Sequence, residues 1–189
     1  MGKRIVITGV PGVGKTTVVN GALGKLAEEG ISYQSINFGS LMFEVATAQK
    51  VVSDRDGMRK LPGSVQKEIQ RLAAQAIGKT GGNVIIDTHC TVKTPKGFLA
   101  GLPEWVLREL MPDMVILVET DEDQILSRRL TDTTRVRDPD TSGEIALHQE
   151  YNRGMAAAYS MVSGCTVKIV KNQDFLLDRA IADMADALR

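Results

Sequence analysis

The residues Gly9-Val10-Pro11-Gly12-Val13-Gly14-Lys15-Thr16 fit the pattern G-x-x-x-x-G-K-[ST] at every position. Glycines at these points let the backbone fold around phosphate groups with its N–H groups turned inward, where a β-carbon would obstruct. Lys15 is placed to reach the β- and γ-phosphates of a nucleoside triphosphate, the Thr16 hydroxyl can ligate Mg2+, and Thr17 offers a second hydroxyl near the α-phosphate. A carboxylate is expected at the end of a neighbouring strand to hold the water shell of that metal. Asp87, closing Val84-Ile85-Ile86, meets the requirement.

Two groups of cations follow. Arg128, Arg129, Arg135 and Arg137 crowd a short stretch whose single acid is Asp132. Transfer of a phosphoryl group spreads negative charge over several oxygens, and planar guanidinium forks suit them. A loop carrying such arginines can close over bound nucleotide and exclude water. Arg153 follows on the next helical segment. The second group, Arg55, Arg59 and Lys60, lies between the second strand and the Asp87 strand, where an acceptor phosphate could be held. A guanine-binding switch would need Asn-Lys-x-Asp after a late strand, but here Lys171-Asn172-Gln173-Asp174 has the first two residues transposed. Asp87 is followed by Thr-His-Cys, where such a switch would carry glycine three residues on. These residues favour a small kinase acting on a nucleotide or another metabolite over a switch. An ATP-driven assembly module stays open.

The elements that must position these groups are legible as short apolar runs alternating with helical periodicity. Strands are predicted at Arg4–Thr8, Tyr33–Asn37, Asn83–Asp87, Asp113–Glu119 and Thr166–Val170. Helical spacing follows the phosphate loop through Leu26, with Gly30 as its stop, and recurs from Val65 to Ile77 and from Leu177 to Leu188. Thr120-x-x-Asp123 resembles a capping signal, and a helix burying His148, Tyr151, Met155, Tyr159 and Val162 is expected further on. The polar stretch from Thr131 to Gly143 reads as a functional loop. The pattern as a whole is α/β, a parallel sheet with helices on both faces.

The chain of 189 residues suits one domain. Its formal net charge is zero, so no bulk field draws nucleic acid or an anionic membrane, and any anion site must be local. Cys90 and Cys165 are too far apart for metal-ligand spacing or a disulfide framework. The apolar run after Arg4 is shorter than the roughly 7–15 residues of a secretory signal, and no stretch approaches the roughly 20 of a membrane span. A cytoplasmic location is expected.

Assembled, these residues make the chain resemble the archaeal-type adenylate kinases over essentially its whole length. The resemblance rests on the phosphate loop, Asn37-Phe38-Gly39-Ser40-Leu41-Met42, Arg55-Asp56-x-Met58-Arg59-Lys60-Leu61, Val84-Ile85-Ile86-Asp87-Thr88-His89, Thr94-Pro95-Lys96-Gly97 with Gly101-Leu102-Pro103, and the arginine-rich segment Arg128–Asp138. It implies a P-loop NTPase fold with a five-stranded parallel sheet, a nucleoside-monophosphate-binding insertion over about 37–80 and a short lid over about 131–143. It further implies Mg·ATP + AMP ⇌ 2 ADP and a homotrimer. Carried over by position, Arg128 and Arg137 resemble lid arginines that contact ATP phosphates or stack on adenine, and Arg153 resembles one that bridges two nucleotides. Bacterial and eukaryotic members follow the glycine of the AMP-side helix with Asp-Met-Leu-Arg, whereas Gly39 here precedes Ser40-Leu41-Met42-Phe43. With that arginine missing, Arg55, Arg59 and Lys93 become the candidates for AMP phosphate. His89 is either a hydrogen-bonding group beside the acceptor or a packing residue. His148 is expected to be packing.

Overall fold

The computed structural model describes residues 2–58, 60–131 and 140–189. The chain runs β1 (Arg4–Thr8), α1 (Lys15–Glu28), β2 (Gln34–Asn37), α2 (Phe38–Ala48), the single turn α3 (Arg55–Met58), α4 (Gly63–Gly78), β3 (Val84–Asp87), β4 (Thr91–Thr94) and β5 (Gly97–Ala100). It continues as α5 (Glu104–Leu110), β6 (Met114–Glu119), α6 (Glu122–Thr131), α7 (Ser142–Ser163), β7 (Thr166–Lys171) and α8 (Leu177–Leu188).

Five strands form one parallel sheet in the order β2-β3-β1-β6-β7. Because both faces are covered, the central strands are apolar without alternation, which is what made them readable. Ile5, Ile7, Ile85, Ile116 and Val118 pack under α1 and α8, while Val6, Val84, Ile86, Val115 and Leu117 pack under α4, α5 and α7. Parallel order brings the carboxyl ends of the strands to one edge, and Thr8, Asp87 and Glu119 end there.

Local expectations are corrected at α6 and α7, and one unforeseen element appears. Among the described residues β4 and β5 pair only with each other, as an antiparallel hairpin joined through Pro95-Lys96; their mixed sequences carry no apolar run. Helix α6 begins behind Asp121, whose carbonyl accepts from the amides of Gln124 and Ile125, so Thr120-x-x-Asp123 is not its cap. Thr120 is buried and donates instead to the Gln124 side chain at 2.7 Å. The reciprocal capping box belongs to α7, formed by Thr141 and Glu144.

Helix α7 also turns a different stripe inward. It buries Ile145, Gln149, Asn152, Ala156 and Tyr159, leaving Tyr151 and Val162 about half exposed and His148 and Met155 only partly covered. The two buried polar groups meet specific partners: Gln149 donates to the Thr120 carbonyl at 3.0 Å, and Asn152 accepts from the Thr91 hydroxyl at 2.6 Å. Tyr159 donates to the Cys90 carbonyl at 2.6 Å and accepts from the Leu102 amide at 3.0 Å. This polar seam docks the hairpin region onto α7, and an apolar count cannot foresee it.

Candidate active site

The phosphate loop connects β1 to α1 along the carboxyl edge of the sheet. Gly9 passes so close to β6 that a β-carbon there would lie 2.6 Å from the Val118 carbonyl oxygen. Gly12 and Gly14 have φ of 94° and 83°, a region that disfavours side chains. Val10 and Val13 point into the core and anchor the loop from below, while Pro11 is exposed. Gly14 caps α1 without a side-chain hydrogen bond, so the amides of the first helical turn meet solvent or a ligand. Such a turn favours an anion through its unpaired N–H groups and dipole. Thr16 and Thr17 are exposed on it.

Lys15 and Asp87 form an ion pair at the base of this loop. β1 and β3 are neighbours with Ile7 beside Asp87, so the sheet itself brings the two together. Burial pushes the Lys15 pKa down to about 8, and the adjoining carboxylate works in the opposite sense by favouring the ammonium. Asn37, at the end of β2, donates to Asp87 at 3.4 Å and caps α2 by accepting from the Ser40 amide at 2.9 Å. Helix α2 is thereby tied to the Asp87 carboxylate. His89 stands close enough that surrounding protein, and secondarily the charge of Lys15, lower its pKa.

The other predicted cations occupy separate places. Arg128 reaches beneath the phosphate loop, donating to the carbonyls of Val13 at 3.1 Å and Asn172 at 3.0 Å and to the Asp174 carboxylate. Arg153 grips Glu119 with two hydrogen bonds of 2.8 and 2.6 Å, and Lys171 adds a third at 2.9 Å. Arg55 donates to Ser40 at 2.9 Å and lies 5.6 Å from the Phe43 ring centre. Lys93 is held by Asp140 and Glu144, each at 2.8 Å. Arg59, Arg135 and Arg137 lie outside the described residues, as do positions 132–139 of the stretch 131–143 expected as a lid. At its margins, helix occupies position 131 and resumes at 142.

The structure therefore joins Lys15, Asp87, His89 and the loop amides, with Arg128 behind them. It sets Lys93 and Arg153 on protein carboxylates. Sequence reasoning missed Asn37, Glu119 and Asn172 and named Arg129 only as one of a cluster of arginines; their contacts run through hydrogen bonds and ion pairs that no motif announces.

With this geometry in view, the family resemblance can be measured. The AAA domain family matches residues 8–146. An adenylate kinase of Methanoculleus marisnigri is 61% identical over 100% of both chains. One of Methanocaldococcus jannaschii is 50% identical, covering 99% of this chain and 98% of its own. One of Methanococcus aeolicus is 51% identical over the same shares. The chain belongs to the adenylate kinase family. At the level of fold alone, a shikimate kinase from Bacteroides thetaiotaomicron superposes with a TM-score of 0.55 at 13% identity, covering 98% of each chain. The carboxyl edge of the sheet divides about β1. The phosphate loop, α6 and the segment after β7 occupy one side. Asp87, His89, the hairpin and α2 occupy the other.

Proposed function

We propose that the chain transfers the γ-phosphoryl group of ATP to AMP, reversibly, giving two ADP. The observation that carries this reading is the Lys15–Asp87 pair at the base of the phosphate loop, tied through Asn37 to α2. Loop amides bind the donor phosphates while Lys15 leaves Asp87 for the β- and γ-oxygens. Thr16 and Asp87 offer a hydroxyl and a carboxylate, hard oxygen donors that suit a cation which keeps most of its waters. Mg2+, when bound there, neutralises charge on the transferring phosphates.

No general base is needed in this scheme. The chain aligns the two phosphates in line, excludes water and presents cations to the developing charge. Arg137 is assigned to the lid and Arg128 to the adenine or phosphates of ATP. Arg153 is assigned to the bridge between nucleotides through Nη1, while Nε and Nη2 stay on Glu119. Arg55, Arg59, Lys93 and His89 are assigned to AMP. Lys93 must trade its present carboxylates for the AMP phosphate.

Incubating pure protein with Mg2+, ATP and each nucleoside monophosphate, then quantifying diphosphates, tests the assignment. ADP should form fastest with AMP at two per ATP consumed; faster turnover of UMP or CMP would move the chain to another acceptor. A cytoplasmic homotrimer is part of the same reading. It is supported by the resemblance and by the face of α7 where Leu147 and Tyr151 stand exposed, with Phe98 stacked on Tyr151 at 4.3 Å. Light scattering would return a monomer mass if that part is wrong.

A further inference from the structure

A phosphate loop works only if its amides point at the ligand, yet its glycines leave the peptide units free to turn. In a planar trans peptide the carbonyl of one residue and the N–H of the next point in opposite directions. Whatever holds the carbonyl therefore also aims the amide. In this chain two such carbonyls are held from outside the loop. The Val13 oxygen, sharing its peptide with the Gly14 amide, accepts from Asn172 Nδ2 at 2.8 Å. The Pro11 oxygen, sharing its peptide with the Gly12 amide, accepts from Arg129 Nε at 2.7 Å.

Both donors are fixed. Asn172 is 5% exposed, and its own amide donates to the Glu119 carbonyl at 2.7 Å. The Arg129 side chain is 8% exposed and its Nη1 donates to Asp140 at 2.7 Å. Each donor also lies against the bare α-carbon of the glycine it governs. A β-carbon on Gly14 would fall 2.4 Å from Asn172 Nδ2, and one on Gly12 would fall 2.9 Å from Arg129 Cγ. The two glycines thus serve twice, permitting positive φ and making room for the side chain that sets the peptide.

We propose that Asn172 and Arg129 are positioning residues of the phosphate loop. By drawing the Val13 and Pro11 carbonyls outward they hold the Gly14 and Gly12 amides toward the phosphates. The inference rests on the ATP-binding reading of the loop, but not on the identity of the acceptor.

The test compares Asn172→Asp, which keeps the shape and replaces the donor with an oxygen, with Asn172→Ala, Arg129→Lys and Arg129→Ala. Measured for each are KM for ATP, KM for AMP, the melting temperature without ligand, and inhibition by inorganic tripolyphosphate, which probes the loop without a base. In Asn172→Asp and Asn172→Ala, KM for ATP and the tripolyphosphate inhibition constant should both rise about five- to ten-fold, as the Val13 carbonyl loses the nearer of its two donors and keeps only Arg128 at 3.1 Å. KM for AMP should stay within about two-fold and the melting temperature should hardly move. Arg129→Ala should show the same split, and Arg129→Lys, which still carries a donor, should recover most of it. Unchanged tripolyphosphate inhibition in the Asn172 variants overturns the proposal. So does a parallel rise of both KM values with a lowered melting temperature, which marks a structural role. If Asn172→Asp is not recovered folded, Asn172→Ala decides by the same criteria. Wild-type protein that makes no ADP would unseat the kinase reading alone, because direct tripolyphosphate and ATP binding would still report on the loop.

Discussion

The two sides of the cleft handle charge differently. On the donor side a carboxylate that is 3% exposed, Glu119, holds Arg153 and Lys171. Backbone carbonyls of the phosphate loop are held there as well, by Arg128, Arg129 and Asn172. On the hairpin side Lys93 rests between Asp140 and Glu144, which are 21% and 44% exposed, and Arg55 has a hydroxyl and an aromatic ring. Buried partners fix geometry because an unpaired buried charge is costly. Exposed partners are cheap to exchange, since water replaces them. On the proposed reading the donor side is therefore built before nucleotide arrives, whereas the acceptor side is free to change partners.

The comparison is broken most directly at Lys15. Lys15→Ala should lower kcat by about 100-fold or more, the scale for removing one charge-assisted contact at a transferring group. Its fold should survive, because the side chain faces the ligand. A folded variant keeping more than about a tenth of wild-type turnover would refute a prebuilt donor side. Asp87→Asn comes next. It removes the carboxylate from both Lys15 and the metal waters, so saturation should require about ten-fold more Mg2+, while ATP without metal binds at least as well as in wild type. An unchanged Mg2+ titration would take Asp87 out of the site.

How far the sequence discloses this division follows from the same physics. The phosphate loop is legible because its chemistry needs particular residue types at particular spacing, and the five strands are legible because burial on both faces forces apolar runs. Gln149 and Asn152 were illegible as inward-facing because they are polar, and only the tertiary fold supplies Thr120 and Thr91 as their partners. The β4–β5 hairpin escaped because Thr91-Val92-Lys93-Thr94 is half exposed and pairs with one strand alone. Asn172 was visible only as a transposed guanine motif, since a side chain acting through a carbonyl distant in sequence leaves no local pattern.

Glu119 sharpens the contrast through stability. Burial by itself would raise its pKa, but hydrogen bonds from Arg153 and Lys171 outweigh that and hold it below the ordinary glutamate range. A depressed folded-state pKa contributes stability fully above the unfolded value of about 4.3, and that contribution is lost as pH falls through the folded value. Glu119→Gln should cost about 1–2 kcal/mol at neutral pH, the scale of a charge-assisted hydrogen bond, and should flatten the acid limb of the stability profile. Denaturant melts from pH 7 to pH 3 measure both. An acid limb identical to wild type would mean that Glu119 is not the anchor of the donor side.

The smallest effect is expected at Lys93, where the two sides differ in kind. Its two ion pairs hold its pKa up through the hydrogen bonds it donates to Asp140 and then Glu144, but both bonds are open to water and salt. Lys93→Ala should therefore leave the melting temperature almost unmoved. If Lys93 leaves these carboxylates for AMP, the same variant should raise KM for AMP a few-fold with KM for ATP unchanged, because other cations share the acceptor phosphate. Arg at 93 should restore AMP binding, since a guanidinium also pairs with phosphate. Salt separates this from a fixed structural pair: screening weakens exposed contacts, so the difference between wild type and Lys93→Ala in KM for AMP should shrink as ionic strength rises. A KM for AMP untouched by Lys93→Ala at low salt would leave Lys93 as a tether between the hairpin and the start of α7, and would shift AMP phosphate binding to Arg55 and Arg59.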